Sequence, residues 1–155
     1  MYSNELICNI LKYIDTNLFS NINIDLISRT FCYDKFYIMK KFKKEIGISI
    51  FNYINTMKIN NCIKYFNSSK NVTSIFFKSG FNSLEYFSET FKNIMGVNPY
   101  TFKKYILLKP NISDNDVIII KNSIGKISEL KNKVEKYKSN LKPKKDPIKK
   151  LSIFK

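Results

Sequence analysis

A short segment occurs twice in this chain, 49 residues apart. The sequence FKKEIG at residues 42–47 returns as FKNIMG at residues 91–96, and the same offset aligns Asp34 with Ser83. Asp and Ser are strong helix N-caps because their side-chain oxygens accept backbone N–H groups, and a terminal glycine suits the left-handed position that follows a helix. The repeat therefore predicts two equivalent capped helices in a fold with two similar halves.

Each repeated helix has one apolar face and is preceded by a shorter helix. The apolar residues lie four apart, as a helix requires; they are Ile38, Phe42 and Ile46 in the first copy, and Phe87, Phe91 and Met95 in the second. Asn23 and Asn71 are suited to cap short helices over about residues 24–30 and 72–79. A short helix, a tight turn and a second helix make a helix-turn-helix, so the chain is predicted to contain two.

The remaining segments before residue 106 complete an all-α fold. Apolar residues at a spacing of three to four predict an opening helix; they are Leu6, Ile7, Ile10, Leu11 and Ile14. Residues 49–66 predict one long helix, with Phe51, Ile54, Ile59, Cys62 and Phe66 among its apolar positions. At ~1.5 Å per residue it would span roughly 25 Å. We predict subdomains at about 5–48 and 67–105, joined by the linker helix 49–66, as one domain over residues 1–105.

Residues 106–155 predict a basic C-terminal extension. Residues 110–115 read as a linker, and the apolar run Val117–Ile120 fits either a strand or the start of a helix. From Ile124 onward, apolar residues recur at three or four, which predicts an amphipathic helix from about Ser123 to Leu141. Pro143 would end it, and the lysine-rich residues 142–150 predict an unfolded tail.

The charge distribution favours a polyanionic partner. Residues 1–105 carry 14 basic and 7 acidic side chains and residues 106–155 carry 13 and 5, within a net charge of +15. Such an excess indicates nucleic acid first, and an anionic membrane surface or an acidic protein second.

Several classes of protein are excluded by what the sequence lacks. Without histidine there is no imidazole base, and the three cysteines, Cys8, Cys32 and Cys62, lack a metal-binding spacing. We therefore expect no enzyme, metal or cofactor. Reduced thiols used as small apolar side chains indicate a cytoplasmic protein, and we find neither a run long enough for a membrane span nor a signal peptide. Because the first helix begins near Met1, we expect no sensor domain before it.

The second unit resembles a known family. The segment GFNSLEYFSETFK at residues 80–92, followed by GVNP at 96–99 and Phe102-Lys103, resembles the C-terminal signature of the AraC/XylS family of bacterial transcription regulators. The first unit is similar to the family's other helix-turn-helix, and the resemblance covers about residues 5–105. It implies two helix-turn-helix subdomains joined by a long helix, with recognition helices in successive major grooves roughly 34 Å apart.

The resemblance, together with the helical phase, also implies which side chains meet DNA. The predicted base contacts are Phe36, Met39 and Lys40 on the first recognition helix, and Leu84, Glu85, Ser88 and Glu89 on the second. Lys can donate to guanine, Glu can accept from cytosine, and apolar groups can meet a thymine methyl. The predicted DNA-backbone contacts are Lys35, Lys43, Lys44 and Lys92.

The family often carries Gln or Arg where this chain has Glu85 and Glu89, so the second contact is expected to be selective but weak. Two further departures concern the fold. Cys32 stands in the first turn where the family usually has glycine, and a left-handed backbone there would cost of order 1 kcal/mol. Phe76 stands where the family favours alanine, so the packing of the second unit must rearrange around it.

These observations predict a sequence-specific DNA-binding transcription regulator that reads two adjacent major-groove segments. The alternative is a basic module that binds nucleic acid, anionic membrane or acidic protein without sequence choice, through the C-terminal tail. The expected partner is double-stranded DNA, RNA polymerase is a further candidate, and residues 124–141 could support self-association.

Overall fold

The computed structural model describes residues 3–140, which contain α-helices and one short 3-10 helix. The predicted basic tail lies outside the described residues. The α-helices, in chain order, are α1 (Ser3–Asn17), α2 (Ile24–Phe31), α3 (Lys35–Ile46), α4 (Ile50–Cys62), α5 (Val72–Ser79), α6 (Leu84–Met95), α7 (Pro99–Ile106) and α8 (Asp114–Asn140). The predicted all-α class and the two helix-turn-helix units, α2–α3 and α5–α6, are confirmed.

All four predicted N-caps form. Asn23 and Asn71 accept hydrogen bonds from Leu26 N and Ser74 N at the starts of α2 and α5. Asp34 accepts from two backbone N–H groups of α3, and Ser83 accepts from Tyr86 N in α6. The side chains that the repeat aligns therefore perform the same task in both halves.

The turns of the two units differ in length by one residue. In the first unit only Tyr33 separates the C-cap Cys32 from the N-cap Asp34, whereas Phe81 and Asn82 separate Gly80 from Ser83 in the second. Cys32 has φ 57°, so it adopts the left-handed conformation for which glycine is the usual residue. The strain that glycine avoids at Gly80 is therefore carried by a cysteine in the first turn.

Each half has its own apolar core. The five predicted apolar residues of α1 are fully buried and pack with Ile27, Ile38, Phe42 and the first half of α4. The second core is largely aromatic and includes Phe66, Phe87, Phe91 and Phe102. Phe76 lies half-buried at its edge with its ring centroid 6.0 Å from that of Phe87, so the aromatic cluster accommodates the large side chain. Cys8 and Cys62 are buried, as predicted.

The linker helix is shorter than predicted. α4 ends at Cys62 and continues only as a 3-10 turn over Ile63–Tyr65, so the α-helical part spans about 20 Å instead of roughly 25 Å. Phe51, expected among its apolar positions, is exposed. Tyr53, Ile54 and Met57 join the first core, whereas Ile59 and Cys62 join the second.

The apolar pattern did not predict α7, the helix that follows α6. Asn98 caps it by accepting from Thr101 N, and Pro99 occupies its first turn, where a missing N–H costs nothing. Phe102 is fully buried in the second core. α7 ends at Ile106, one residue beyond the limit predicted for the domain.

The C-terminal helix is longer than predicted and contacts both halves. α8 begins at Asp114 instead of near Ser123, so Val117–Ile120 is helical and not a strand. Its buried residues are Ile120, Ile127 and Val134, seven apart; the first two join the second core and Val134 joins the first. Ile124, the predicted start of the apolar face, is 36 % exposed, because it lies at the edge of the face that these three residues bury, about 60° around the helix from Ile127.

Candidate nucleic-acid interface

The first recognition helix, α3, exposes the side opposite its core residues. Ile38, Phe42 and Ile46 are buried, whereas Phe36, Met39 and Lys40 lie on the exposed side. Phe36 is 67 % exposed and Met39 42 % exposed. Large apolar side chains at this exposure are available to contact a partner. α3 thus presents two apolar groups and one ammonium group on one surface.

The lysines of α3 have different surroundings. Lys35 lies 3.4 Å from an Asp25 carboxylate oxygen and also lies over the Phe36 ring, with both partners exposed. Lys43 and Lys44 are exposed in the last turn and make no ion pair with any residue between 4 and 140. Lys41 instead pairs with Glu45 at 2.9 Å. Lys43 and Lys44 therefore have their charges free for a phosphate.

The second recognition helix, α6, presents an acidic surface. Glu85 and Glu89 are exposed, and neither forms an ion pair within the described part of the chain. Ser88 is half-buried, and Leu84 packs partly against the second core, which limits how far its side chain can reach. Lys92 is exposed in the last turn. The two recognition helices thus share a backbone plan but differ in charge.

Two tyrosines lie at corresponding positions of the recognition helices and were given no role in the sequence analysis. Tyr37 is partly exposed and stacks on Tyr33, with ring centroids 5.7 Å apart and planes 16° apart. Tyr86 is also partly exposed, and its hydroxyl accepts a hydrogen bond from Asn55 Nδ2 at 3.0 Å. The 49-residue offset aligns these tyrosines and is the signal that could have identified them.

A cavity of about 410 Å³ lies between the two subdomains. Met39 and Ile54 line it from the first half, and Phe81 and Tyr86 from the second. Lys58 of α4 lies at its wall, 7 % exposed, and its Nζ donates to the carbonyl of Gly80 at 3.2 Å. Burial lowers the pKa of Lys58. This buried lysine connects the linker helix to the turn of the second unit.

Neither a metal site nor a membrane span is found in the part of the chain that the structure describes. No group of three or more Cys, Asp or Glu side chains within residues 3–140 could hold a metal ion. None of the helices in that range is both long and apolar enough to cross a lipid bilayer.

Two capped helix-turn-helix units, joined by α4 and each exposing one face of its second helix, define a double helix-turn-helix protein of the DNA-binding class. The comparisons with known proteins agree. A family described as a helix-turn-helix domain matches residues 27–105. An uncharacterized HTH-type transcriptional regulator in the cgkA 5′ region of Pseudoalteromonas carrageenovora is 31 % identical over 102 residues, which span 66 % of this chain and 61 % of that protein.

Two further proteins are similar to this chain. The multiple antibiotic resistance protein MarA of Escherichia coli is 31 % identical over 96 residues, covering 61 % of this chain and 76 % of MarA. A solved structure of a Listeria innocua protein of unknown function matches with a TM-score of 0.59 at 28 % identity, covering 63 % of this chain and 93 % of that one. The chain belongs to the AraC/XylS family of sequence-specific DNA-binding transcription regulators.

Proposed function

We propose that this protein reads a bipartite site on double-stranded DNA, with α3 and α6 in adjacent major-groove segments on one side of the duplex. The observation that carries the proposal is the equivalence of the two helices. Each is capped at its N-terminus, ends in a left-handed glycine, buries one apolar face and exposes another. A chain with two such helices can contact two grooves without forming a dimer.

The proposed base contacts divide by chemistry. Lys40 donates to guanine, and Phe36 and Met39 meet thymine methyl groups in the first half-site. In the second, Glu85 and Glu89 accept from cytosine N4–H, with Ser88 beside them and Leu84 at the edge. Because phosphates repel carboxylates, α6 selects more than it adds to affinity. We propose phosphate contacts for Lys43, Lys44, Lys92 and Lys35, the last in competition with Asp25.

The remaining parts of the proposal concern the cellular setting. We propose a cytoplasmic regulator without catalytic activity, for which RNA polymerase is a candidate partner. Self-association through residues 124–141 stays a prediction. The apolar side of α8 packs on its own domain through Ile127 and Val134, so a dimer would have to use residues outside this buried face.

The test is selection of bound duplexes from a random DNA library, at about 0.15 M salt with competitor DNA. Enrichment of two short motifs one helical turn apart supports the proposal. Enrichment of one motif contradicts the reading role of α6. Binding without enrichment, lost as the salt concentration rises, would instead identify a non-specific basic module driven by the C-terminal tail.

A further inference from the structure

We propose that α8 holds the two recognition helices at a fixed separation and thereby sets the number of base pairs that the protein accepts between its two half-sites. This inference rests on the proposed bipartite reading. It assigns a specificity-determining role to a segment outside residues 27–105, where the family match ends.

The first contact is at the carboxyl end of α6. Ser123 Oγ of α8 lies 3.0 Å from the carbonyl oxygen of Met95, the last residue of α6, and shares its one proton between that oxygen and the carbonyl of Ile119 in its own helix, also at 3.0 Å. Next to it, Gly96 is packed so closely that an added Cβ would collide with Ile119 of α8. Ile120 and Ile127 anchor the same stretch of α8 in the second core. The end of the second recognition helix is therefore held by a hydrogen bond and by close packing.

The second contact is at the carboxyl end of α3. A Cβ placed on Gly47, the C-cap of α3, would lie 2.7 Å from Lys133 Nζ. An ammonium group at this point is favourable because the carboxyl end of a helix carries partial negative charge. Val134 lies in the first core, and Lys138 pairs with Asp15 of α1 at 2.6 Å. Three contacts, made by Lys133, Val134 and Lys138, thus fix α8 to the first subdomain.

One continuous helix makes both contacts. Ser123 and Lys133 are ten residues apart, which is about 15 Å along α8. A helix without a break transmits position between its two ends, so the carboxyl ends of α3 and α6 cannot move apart without bending α8 or breaking one of its contacts.

The direct connections between the two subdomains leave room for such movement. Besides α4 itself, they include hydrogen bonds from Asn55 to Tyr86, from Lys58 to Gly80 and from Asn82 to Asn21. The cavity of about 410 Å³ and a second of about 450 Å³ are each lined by residues of both halves. Because side chains do not fill this space, α4 alone would permit rocking that α8 restricts.

The test breaks α8 between its two contacts. Ser128 is exposed and lies midway between Ser123 and Lys133, so Ser128→Pro interrupts the helix while keeping both contact surfaces, and Ser128→Ala is the matched control. Affinity is measured by anisotropy for the selected site and for sites with one or two base pairs added or removed between the motifs. Circular dichroism checks that each variant is folded.

We expect the wild type and Ser128→Ala to lose about tenfold or more in affinity when the spacing changes by one base pair, the scale of a lost base contact. Ser128→Pro should lose less than about threefold, with unchanged base preference inside each motif. A general loss of stability would lower affinity for all spacings alike and would not flatten this profile.

If Ser128→Pro does not fold, the pair Ser123→Ala/Lys133→Ala takes its place, with Ser128→Ala/Glu129→Ala as its control. The inference is supported if Ser123→Ala/Lys133→Ala tolerates altered spacings between the motifs and Ser128→Ala/Glu129→Ala does not. If the variant still binds a bipartite site and discriminates between spacings as sharply as the wild type does, the proposed role of α8 is overturned, whereas the proposed function is not. A wild type that enriches a single motif overturns the proposed function as well, so the two failures are distinguishable.

Discussion

At the scale of single residues, Cys32 carries backbone strain that glycine would not. It is exposed and has φ 57° and ψ 40°. Cys32→Gly should raise the free energy of unfolding by about 1 kcal/mol, measured by urea denaturation in reducing buffer. Asn122→Gly, at an exposed site inside α8, is the control and should lower it by roughly 0.3–0.5 kcal/mol. An unchanged or lower stability for Cys32→Gly would contradict the role of strain here.

Lys40 tests base readout by α3. Lys40→Ala should cost about 1–3 kcal/mol in binding and relax the preference for guanine at one position of the first half-site. The measurement is repeated library selection with the variant, together with affinity for the wild-type site. An unchanged preference would remove Lys40 from the group of base-reading residues.

Lys43 tests the contrasting role, one turn further along α3. Because a phosphate contact carries no sequence information, Lys43→Ala should weaken binding to all sequences alike. The slope of log affinity against log salt concentration should become shallower by about one unit. A loss confined to particular sequences would place Lys43 among the base contacts instead.

Residue-scale features with a local cause could be predicted from sequence. A helix N-cap needs only a side-chain oxygen and the backbone N–H groups next to it in sequence, as at Asn23, Asp34, Asn71 and Ser83. The core residues follow from their three- and four-residue spacing. The exposure of Phe51 could not be foreseen, since it depends on where α4 faces the space between the subdomains. Nor could the burial of Lys58, which depends on a carbonyl 22 residues away.

At the scale of elements, the same division between local and tertiary causes applies. The short and recognition helices were predicted almost to the residue, because caps and glycines mark their ends. α8 was predicted nine residues too short. Its first two turns contain an apolar run without a helical period, and only packing of Ile120 in the second core distinguishes helix from strand.

The stability of α8 itself is testable at Gly125. This glycine is exposed within the helix, and an added Cβ would meet no atom within 4 Å. Gly125→Ala should therefore raise the free energy of unfolding by about 0.5–1 kcal/mol. Gly96→Ala is the opposite case, because its Cβ would collide with Ile119 at a left-handed backbone. Urea denaturation should give changes of opposite sign, and two changes of the same sign would contradict the packing described.

At the scale of the whole molecule, stability should fall in alkaline solution. Burial raises the pKa of Cys62 from 9.0 to about 12, so between those values the folded state holds a proton that the unfolded state has lost. The free energy of unfolding then decreases as pH rises, by up to about 1.4 kcal/mol per pH unit for one such group. Tyr137, raised to about 12 from 10.0, adds to the decline above pH 10.

The check is urea denaturation of the wild type and Cys62→Ala at pH 8, 9 and 10 under reducing conditions. The wild type should lose stability more steeply than the variant between pH 9 and 10. The cavity left by the smaller side chain lowers the variant's stability at every pH and does not alter this slope. Parallel curves would show that the Cys62 thiol is not the group responsible.

The class of the whole molecule was predictable because the repeat, the caps and the charge all indicate two DNA-binding units. The way in which its two halves are joined was less predictable. The way in which Ile120, Ile127 and Val134 of one helix join two separate cores depends on contacts distant in sequence. The charge difference between α3 and α6 was visible in the sequence, and its consequence for affinity stays a prediction.

The contact between the two most distant parts of the described chain has a consequence for the order of folding. The Tyr137 hydroxyl donates to the carbonyl of Asn4, 133 residues earlier, at 3.5 Å. Closing a loop of that length costs more entropy than the local contacts within each helix-turn-helix, so we expect the two subdomains to form first and α8 to dock afterwards. On the ribosome, which makes α8 after all the elements it contacts, the two recognition helices exist for a time without the helix that connects their ends.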